Sequence, residues 1–293
     1  LVKDFQRESG LVPDGIVGKN TVSHLTDESH ASKIERVELA MERLRWHPER
    51  FGYRHVLINQ AAFRASYFED DKEKLSMRAI VGKKSNQTSF FFDEVETVVY
   101  NPYWGVPQSI IVNEMLPKLY RDPGYLDRAG YEVTNASGRR VSSAAVDWWN
   151  YSGKVPYNVR QKPGPSNALG LVKILFPNKH SIYMHDTPSR NLFDRDQRAL
   201  SHGCVRLQEP FEFAYTMLAP QEENPESFFH SVLNTGQETQ VDLETPVPVH
   251  LVYRTAFTDT RGEMNYRNDM YGRDGKIWAA LQNAGVDLRS FES

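Results

Sequence analysis

From residue 53 onward, short runs of β-branched and aromatic residues dominate the chain, separated by turn segments such as GKKSN at 82–86. Several short strands at this spacing are typical of an antiparallel β-sandwich or barrel. We therefore predict an α+β protein whose main domain, 50–253, is β-rich and sandwich-like. The predicted strands are 55–58, 66–68, 77–81, 96–100, 171–176, 181–185 and 247–252.

The segment 116–164 interrupts these strands and has a different character. It is rich in Tyr, Arg, Gly and Asn, contains Trp148 and Trp149, and shows little period-2 pattern. A segment this long inside a compact β domain is usually a lid, a binding loop or a small inserted subdomain. A disordered insertion is the alternative, but the aromatic content argues against it. We predict an inserted capping subdomain, mainly helical or loop.

The first 27 residues predict a small helical pair. Val2 and Phe5 lie at helical spacing, Gly10 is a plausible helix cap, and PDG at 13–15 is a turn signal. Gly18 would let a second helix, ending near residue 25, approach closely. Such a pair is too small to have a core of its own.

The segment 28–49 is predicted to be a connector helix, and Pro48 ends it or lies just past its end, because a helix interior does not tolerate proline. One face is apolar and the other charged, so we expect the apolar stripe to pack on the main domain. The stripe consists of Ile34, Val37, Met41 and Leu44.

Length and charge exclude several classes of protein. A chain of 293 residues suggests about two domains. The net charge is −3 and no basic stripe with interleaved aromatics occurs, so we expect no nucleic-acid partner. The longest apolar runs, such as 247–252, fall far short of the roughly 20 residues needed to span a bilayer.

Cys204 is the only cysteine, so it cannot form a disulfide within the chain. It lies in the run SHGCVR at 201–206, and His185 lies upstream in YMHDTP at 183–188. Acyl transfer by a thiol needs a nearby base and donors for the oxyanion. Gly203 would let a substrate carbonyl approach the backbone N–H groups, and Arg206 would share a strand face with Cys204. These features favour a nucleophile.

Two other interpretations remain open for this thiol. Cys204, His202 and His185 could bind zinc, although three ligands are one short of a structural site. Cys204 could also be a buried apolar residue, although its polar, Gly-containing context is unusual for that role.

These motifs resemble the signature of the L,D-transpeptidase (YkuD) catalytic domain family. Together with NPYW at 101–104 and NALG at 167–170, they are similar to the large YcbB-type members, although many relatives have Asn at the position of Arg206. The run FQRESGLVPDGIVGKNT at 5–21 resembles half of a small peptidoglycan-binding module. The resemblance implies that 1–27 is part of such a module and 254–293 a C-terminal extension.

The resemblance also implies roles for individual residues. Cys204 is the acylated nucleophile, His185 its base and later its acid, and the backbone carbonyl of Asp186 fixes the imidazole tautomer. No cofactor or metal is implied. The implied oxyanion site is lined by His202, Gly203 and Cys204, and the implied substrate contacts are Ser201, Tyr183 and Arg206.

The implied enzyme is an acyltransferase that forms 3→3 cross-links between peptidoglycan tetrapeptide stems, which act as donor and acceptor, through a thioester. Carbapenems and other β-lactams are implied inhibitors. An L,D-carboxypeptidase, a lipoprotein-anchoring enzyme and a non-catalytic peptidoglycan- or metal-binding protein are the alternatives. The implied location is the periplasm of a Gram-negative bacterium, with an inner-membrane anchor outside this chain.

Overall fold

The computed structural model describes residues 1–9, 11–26 and 30–286. Its helices are α1 Val2–Glu8, α2 Lys19–Thr26, α3 His30–Leu44, α4 Gln108–Ile110, α5 Leu116–Leu119, α6 Tyr125–Arg128, α7 Pro210–Leu218, α8 Pro225–Leu233 and α9 Arg273–Asn283. Short 3-10 helices occur at Ser143–Ala145, Trp148–Asn150 and Arg190–Asp194, and a π-helical turn at Ile111–Met115. None of the described helices is both long and apolar enough to cross a membrane.

The strands are β1 Arg54–Asn59, β2 Arg64–Glu69, β3 Lys72–Gly82, β4 Phe91–Tyr100, β5 Trp104–Gly105, β6 Tyr131–Thr134, β7 Arg140–Val141, β8 Asn158–Gln161, β9 Val172–Leu175, β10 Met184–His185, β11 Ala199–Ser201, β12 Val205–Leu207, β13 Thr239–Val252, β14 Ala256–Thr258 and β15 Met264–Tyr266. Each of the seven strands predicted from the sequence overlaps one of them.

Eight of the described strands form one closed sheet. They run in the order β3-β12-β10-β9-β4-β13-β1-β2, and β2 pairs with β3 to complete the circle. The length of β3 makes closure possible, because its first part pairs with β2 and its last part with β12. The main domain is therefore a barrel rather than the predicted sandwich. It is also mixed, since β10 runs parallel to β12 and β1 parallel to β13.

The barrel core follows the period-2 alternation of its strands. Helices α7 and α8 add Phe213, Met217 and Phe229 to the same cluster. Core side chains from the strands include Val56, Ile58, Ala79, Val81, Val98, Ile174, Met184, Val205, Leu207, Val249 and Leu251.

The inserted segment forms a small unit with its own core and sheet. Its strands pair in the order β5-β8-β6-β7, and its core includes Ile111, Leu119, Val133, Trp148 and Val159. The unit therefore extends over 104–161 rather than 116–164. Helix and loop make up most of the unit, and the pairing of strands from both ends of the segment adds a four-stranded sheet that the period-2 pattern did not indicate.

Helix α3 packs through a different face from the one predicted. Ile34, Met41 and Leu44 are half or more exposed, whereas Leu39 and Arg43 are buried. Arg43 pairs with Asp274 of α9 at 2.5 Å and donates to Thr255 at 3.4 Å. The connector thus docks on the C-terminal segment through a buried ion pair, and the expectation of a core stripe is wrong.

The N-terminal pair is held together by one buried glutamine. The side chain of Gln6 donates to Asp14 and to the carbonyl of Ile16, and accepts from the backbone of Gly15. A side chain at Gly18 would meet no neighbour within 4 Å, so close helix approach is not its role. The predicted cap Gly10 lies outside the described residues.

Candidate active site

Three neighbouring strands, β9, β10 and β12, carry the candidate catalytic side chains. His185 on β10 lies opposite Arg206 on β12 and opposite Lys173 on β9. The preceding pair, Met184 and Val205, is fully buried in the barrel core. Because successive side chains alternate between faces, His185, Arg206 and Lys173 all point away from that core.

Cys204 lies two residues before Arg206, and Tyr183 lies two residues before His185. Both side chains therefore belong to the same outer face. The N–H of Val205 donates to the carbonyl of Tyr183 at 3.0 Å, which keeps the two chains in register. The Tyr183 and His185 ring centroids are 5.7 Å apart. The structure therefore brings Cys204, His185, Tyr183 and Arg206 together, as the sequence motifs predicted.

His185 is oriented by the backbone. Its Nδ1 lies 2.5 Å from the carbonyl oxygen of Asp186, which can only accept, so Nδ1 carries the proton and Nε2 is left as a base. Burial, followed by the charge of Arg206, lowers the pKa of His185 to about 3, against the opposing effect of this hydrogen bond. The imidazole is thus neutral at neutral pH.

The carboxylate of Asp186 secures the turn that follows the base. It accepts from the N–H groups of Leu171 at 3.0 Å and Thr187 at 2.7 Å. A Cβ at Gly170, whose φ is +63°, would lie 2.2 Å from this carboxylate. The NALG motif therefore ends in glycine because Asp186 needs that space.

The Cys204 thiol is half-buried and lies 3.8 Å from the carbonyl of Ser181. Burial raises its pKa, while hydrogen bonds from the backbone and hydroxyl of Tyr183 and the charges of Arg206 and Lys173 act in the opposite direction. The resulting ground state has a neutral thiol and a neutral imidazole. Tyr183 is thus a direct neighbour of the Cys204 thiol.

Ser201 shapes the loop before Cys204. It is buried, accepts from the N–H of Gly203 at 3.1 Å and donates to the carbonyl of Cys204 at 2.5 Å. The structure places Ser201 as a support of the loop instead of the implied substrate contact. The N–H of Gly203 is occupied by this bond, so the glycine serves the loop in two other ways. It leaves space next to the thiol, and it adopts a φ of +123°, which residues with a side chain rarely adopt.

His202 lies at the rim and contacts the inserted unit. Its Nε2 is 2.6 Å from the carboxylate of Glu114, in the π-helical turn, and 3.2 Å from Nζ of Lys83. The inserted unit therefore reaches the loop that carries Cys204. π-Helical turns of this kind occur frequently at functional sites.

A cleft of about 220 Å³ opens beside the thiol. Amide, hydroxyl and imidazole groups dominate its wall, which suits the hydrogen-bonding groups of a peptide. The lining residues are Asn86, Gln87, Ser89, His180, Ser181, Ile182, His202, Gly203 and Cys204.

Lys173 and Glu114 are among the neighbours of the site that the sequence did not indicate. Lys173 is signalled only by its position in β9, as a charged residue between the buried Val172 and Ile174. Glu114 had no signal, because its contact with His202 crosses 88 positions. Across 1–9, 11–26 and 30–286, no group of three His, Cys, Asp or Glu side chains is arranged to hold a metal ion.

Residues 53–249 match the family model of the L,D-transpeptidase catalytic domain, YkuD. A candidate L,D-transpeptidase of Haemophilus influenzae is 34% identical over 243 residues, which cover 83% of this chain and 49% of that protein. The chain thus spans about half the length of this curated relative.

Solved structures with a detectable likeness include an L,D-transpeptidase from Mycobacterium smegmatis, 11% identical over 68% of this chain and 58% of that one, with a TM-score of 0.32. Another is L,D-transpeptidase 3 from Mycobacterium tuberculosis, 13% identical over 68% and 61%, also with a TM-score of 0.32. The assignment rests on the family model and the Haemophilus relative. The chain belongs to the YkuD L,D-transpeptidase catalytic domain family.

Proposed function

We propose that this chain is a cysteine-dependent L,D-transpeptidase that forms 3→3 cross-links between peptidoglycan stems. The observation that carries the proposal is the pairing of two groups on one strand face. Cys204 shares an outer strand face with His185, whose Nδ1 is fixed 2.5 Å from the Asp186 carbonyl and whose Nε2 is therefore available as a base.

Acylation starts from the neutral pair. His185 Nε2 takes the thiol proton as Sγ attacks the carbonyl at the L-centre of the third residue of a tetrapeptide stem. The tetrahedral oxyanion forms next to the Cys204 N–H. When the intermediate collapses, the C–N bond to the terminal D-Ala breaks, and its nitrogen takes the proton back from His185. The product is a thioester on Cys204.

Resolution of the thioester uses the same base. The side-chain amine of a second stem attacks the thioester carbonyl, His185 accepts its proton, and the C–S bond breaks to give a 3→3 amide. The proton then returns to Sγ. Water as acceptor would make the enzyme an L,D-carboxypeptidase, and a lipoprotein amine would make it an anchoring enzyme.

The cationic side chains of the outer face fit an anionic donor. Nε of Arg206 is buried and has no hydrogen-bond partner among the described residues, and Lys173 lies on the far side of His185. A carboxylate of the donor stem can pair with this strip, since guanidinium groups bind carboxylates with two parallel hydrogen bonds.

The wider setting that we propose is the periplasm, with a YcbB-type domain arrangement. The N-terminal pair would be half of a peptidoglycan-binding module, and it contacts the loop between base and nucleophile. The N–H of Val12 and the amide of Asn20 both donate to Asp196 in that loop, at 2.5 Å and 2.9 Å.

The test is incubation with disaccharide-tetrapeptides, followed by mass spectrometry. Cross-linked dimers that lack one D-Ala are expected, and Cys204→Ala should form none. Tripeptide monomers would replace the proposal with a carboxypeptidase. A carbapenem should add one covalent adduct to the wild type and none to Cys204→Ala; no adduct on the wild type would indicate a non-catalytic binding protein.

A further inference from the structure

The peptide that joins Gly203 to Cys204 has two ends with different roles. Its N–H belongs to Cys204 and lies where the oxyanion would form, while its C=O belongs to Gly203. A trans peptide is planar, so its N–H and C=O point in opposite directions. Whatever holds the Gly203 carbonyl therefore decides where the Cys204 N–H points.

Thr88 holds that carbonyl. Its hydroxyl donates to the oxygen of Gly203 at 2.7 Å and accepts from the N–H of Gly82 at 2.9 Å. Thr88 has no exposed surface. A hydroxyl has a single proton, so the bond accepted from Gly82 leaves that proton for the carbonyl and gives the contact a defined direction.

Thr88 is in turn anchored by the C-terminal segment. Nη2 of Arg273 donates to the carbonyl of Thr88 at 2.8 Å and to the side chain of Gln87 at 3.0 Å. The buried hydroxyl of Tyr271 donates to the carbonyl of Gly82. A Cβ at Gly82 would lie 2.0 Å from the carbonyl of Asn86, so the loop 82–88 closes tightly on itself.

We propose that Thr88 is a positioning residue for the oxyanion site, and that Tyr271 and Arg273 keep it in place. Thr88 touches no reacting atom; it aims the Cys204 N–H at the substrate carbonyl by fixing the other end of the same peptide. The proposal rests on the proposed function, because an oxyanion forms only if Cys204 is acylated. It also gives the DMYGRD run at 269–274 a role in the site.

The test compares two reactions of the same thiol. Acylation by a carbapenem passes through an oxyanion, whereas alkylation by iodoacetamide displaces iodide at a saturated carbon and forms none. Thr88→Val, which removes the hydroxyl, should slow acylation by about 10- to 100-fold and leave alkylation unchanged. Thr88→Ser, which keeps the hydroxyl, should restore most of the rate.

Thr255→Val is the matched control, because Thr255 is equally buried and its hydroxyl accepts from Arg43, away from the thiol. It should acylate at the wild-type rate. The inference is overturned if Thr88→Val acylates normally, if both reactions slow equally, or if Thr88→Ser is as slow as Thr88→Val. A wild type that is alkylated but never acylated overturns the proposed function itself, and this inference with it.

Thr88→Val leaves two buried backbone groups without a partner, so unfolding midpoints are measured in parallel. If that variant does not fold, Tyr271→Phe decides the question, because it keeps the Thr88 side chain and removes the Tyr271 hydroxyl, which donates to Gly82 and lies against Thr88. A fall in acylation with unchanged alkylation supports the inference. Equal rates for Tyr271→Phe and the wild type overturn it.

Discussion

On one side of Cys204 the functional groups come from paired strands, whereas on the other they come from loops that are far apart in sequence. The strand side contains His185, Lys173 and Arg206, which neighbouring registers place in one row. The loop side contains Gly203, held by Thr88, and His202, held by Glu114 of the inserted unit. The strand side influences the proton affinity of His185 and of the Cys204 thiol, and under the proposed function the loop side sets the position of the Cys204 N–H.

This division implies different consequences for substitutions. A change on the strand side alters the proton affinity of His185 or of the Cys204 thiol, so it should change the rates of both alkylation and acylation of that thiol. A change on the loop side alters the direction of the Cys204 N–H, so it should change the rate of acylation alone. Measuring both rates on each variant therefore tests whether the two sides of the site act in these different ways.

The largest effect is expected for His185→Asn. Loss of the base should lower the acylation rate by about 100- to 10,000-fold, and alkylation at neutral pH should fall as well. His180→Asn is the matched control, since His180 lines the same cleft from an exposed position. Rates are followed by intact mass against time. Equal rates for both variants would remove His185 from the mechanism.

The next effect is on stability in acid. The pKa of His185 is about 3 in the folded protein and about 6.5 when unfolded. Between these values the unfolded chain binds the extra proton, so stability falls as pH falls below about 6.5. Through His185 alone, the free energy of unfolding should fall by about 2 kcal/mol between pH 7.5 and pH 5.

Urea unfolding at both pH values checks this expectation. His185→Asn should lose less stability on acidification than the wild type. The remaining loss belongs to a second cluster, because burial also lowers the pKa of His47 to about 4 and lowers those of His55 and His250. An unchanged pH dependence in His185→Asn would show that its imidazole is not held neutral.

A smaller effect is expected for Lys173→Met. Removing this charge removes one of the influences that lower the pKa of the Cys204 thiol. The midpoint of the pH profile for iodoacetamide alkylation should therefore move to higher pH, and the rate at pH 7 should fall several-fold. Lys173→Arg, which keeps the charge, should resemble the wild type. A profile that does not move would mean that Lys173 contributes no field at the thiol.

The smallest effect is expected for Glu114→Gln on the loop side. Its contacts with His202 and Lys83 are partly exposed, so unfolding free energy should change by less than about 1 kcal/mol. Acylation should slow by less than about tenfold, with alkylation unchanged. Glu73→Gln, which breaks the Arg64 ion pair on another part of the barrel, is the control. Slower alkylation in Glu114→Gln would show that the inserted unit, like the strand side, influences the proton affinity of the Cys204 thiol.

The same division explains what could be predicted from sequence. Alternation along a strand is local, so Arg206 could be placed on the face of Cys204 two residues away, and each predicted strand overlaps an observed one. Contacts across the fold have no local signal. Thr88 meets Gly203 over 115 positions, and Glu114 meets His202 over 88.

The errors have the same origin. The apolar stripe of Ile34, Met41 and Leu44 was expected to be core, but the partner of α3 is set by the buried pair of Arg43 and Asp274, 231 positions apart. A stripe shows that a helix has two faces, and it does not show which face meets the rest of the protein. Closure of the barrel by β2 and β3 is likewise a property of the whole sheet.

The solitary thiol has a consequence for redox chemistry. Peroxide converts a thiolate to a sulfenic acid, which is normally rescued when a second cysteine condenses with it. This chain has no second cysteine among its 293 residues. Within these 293 residues an oxidised Cys204 therefore has no second thiol to condense with, so its reduction would need a thiol from another molecule or from another part of the protein.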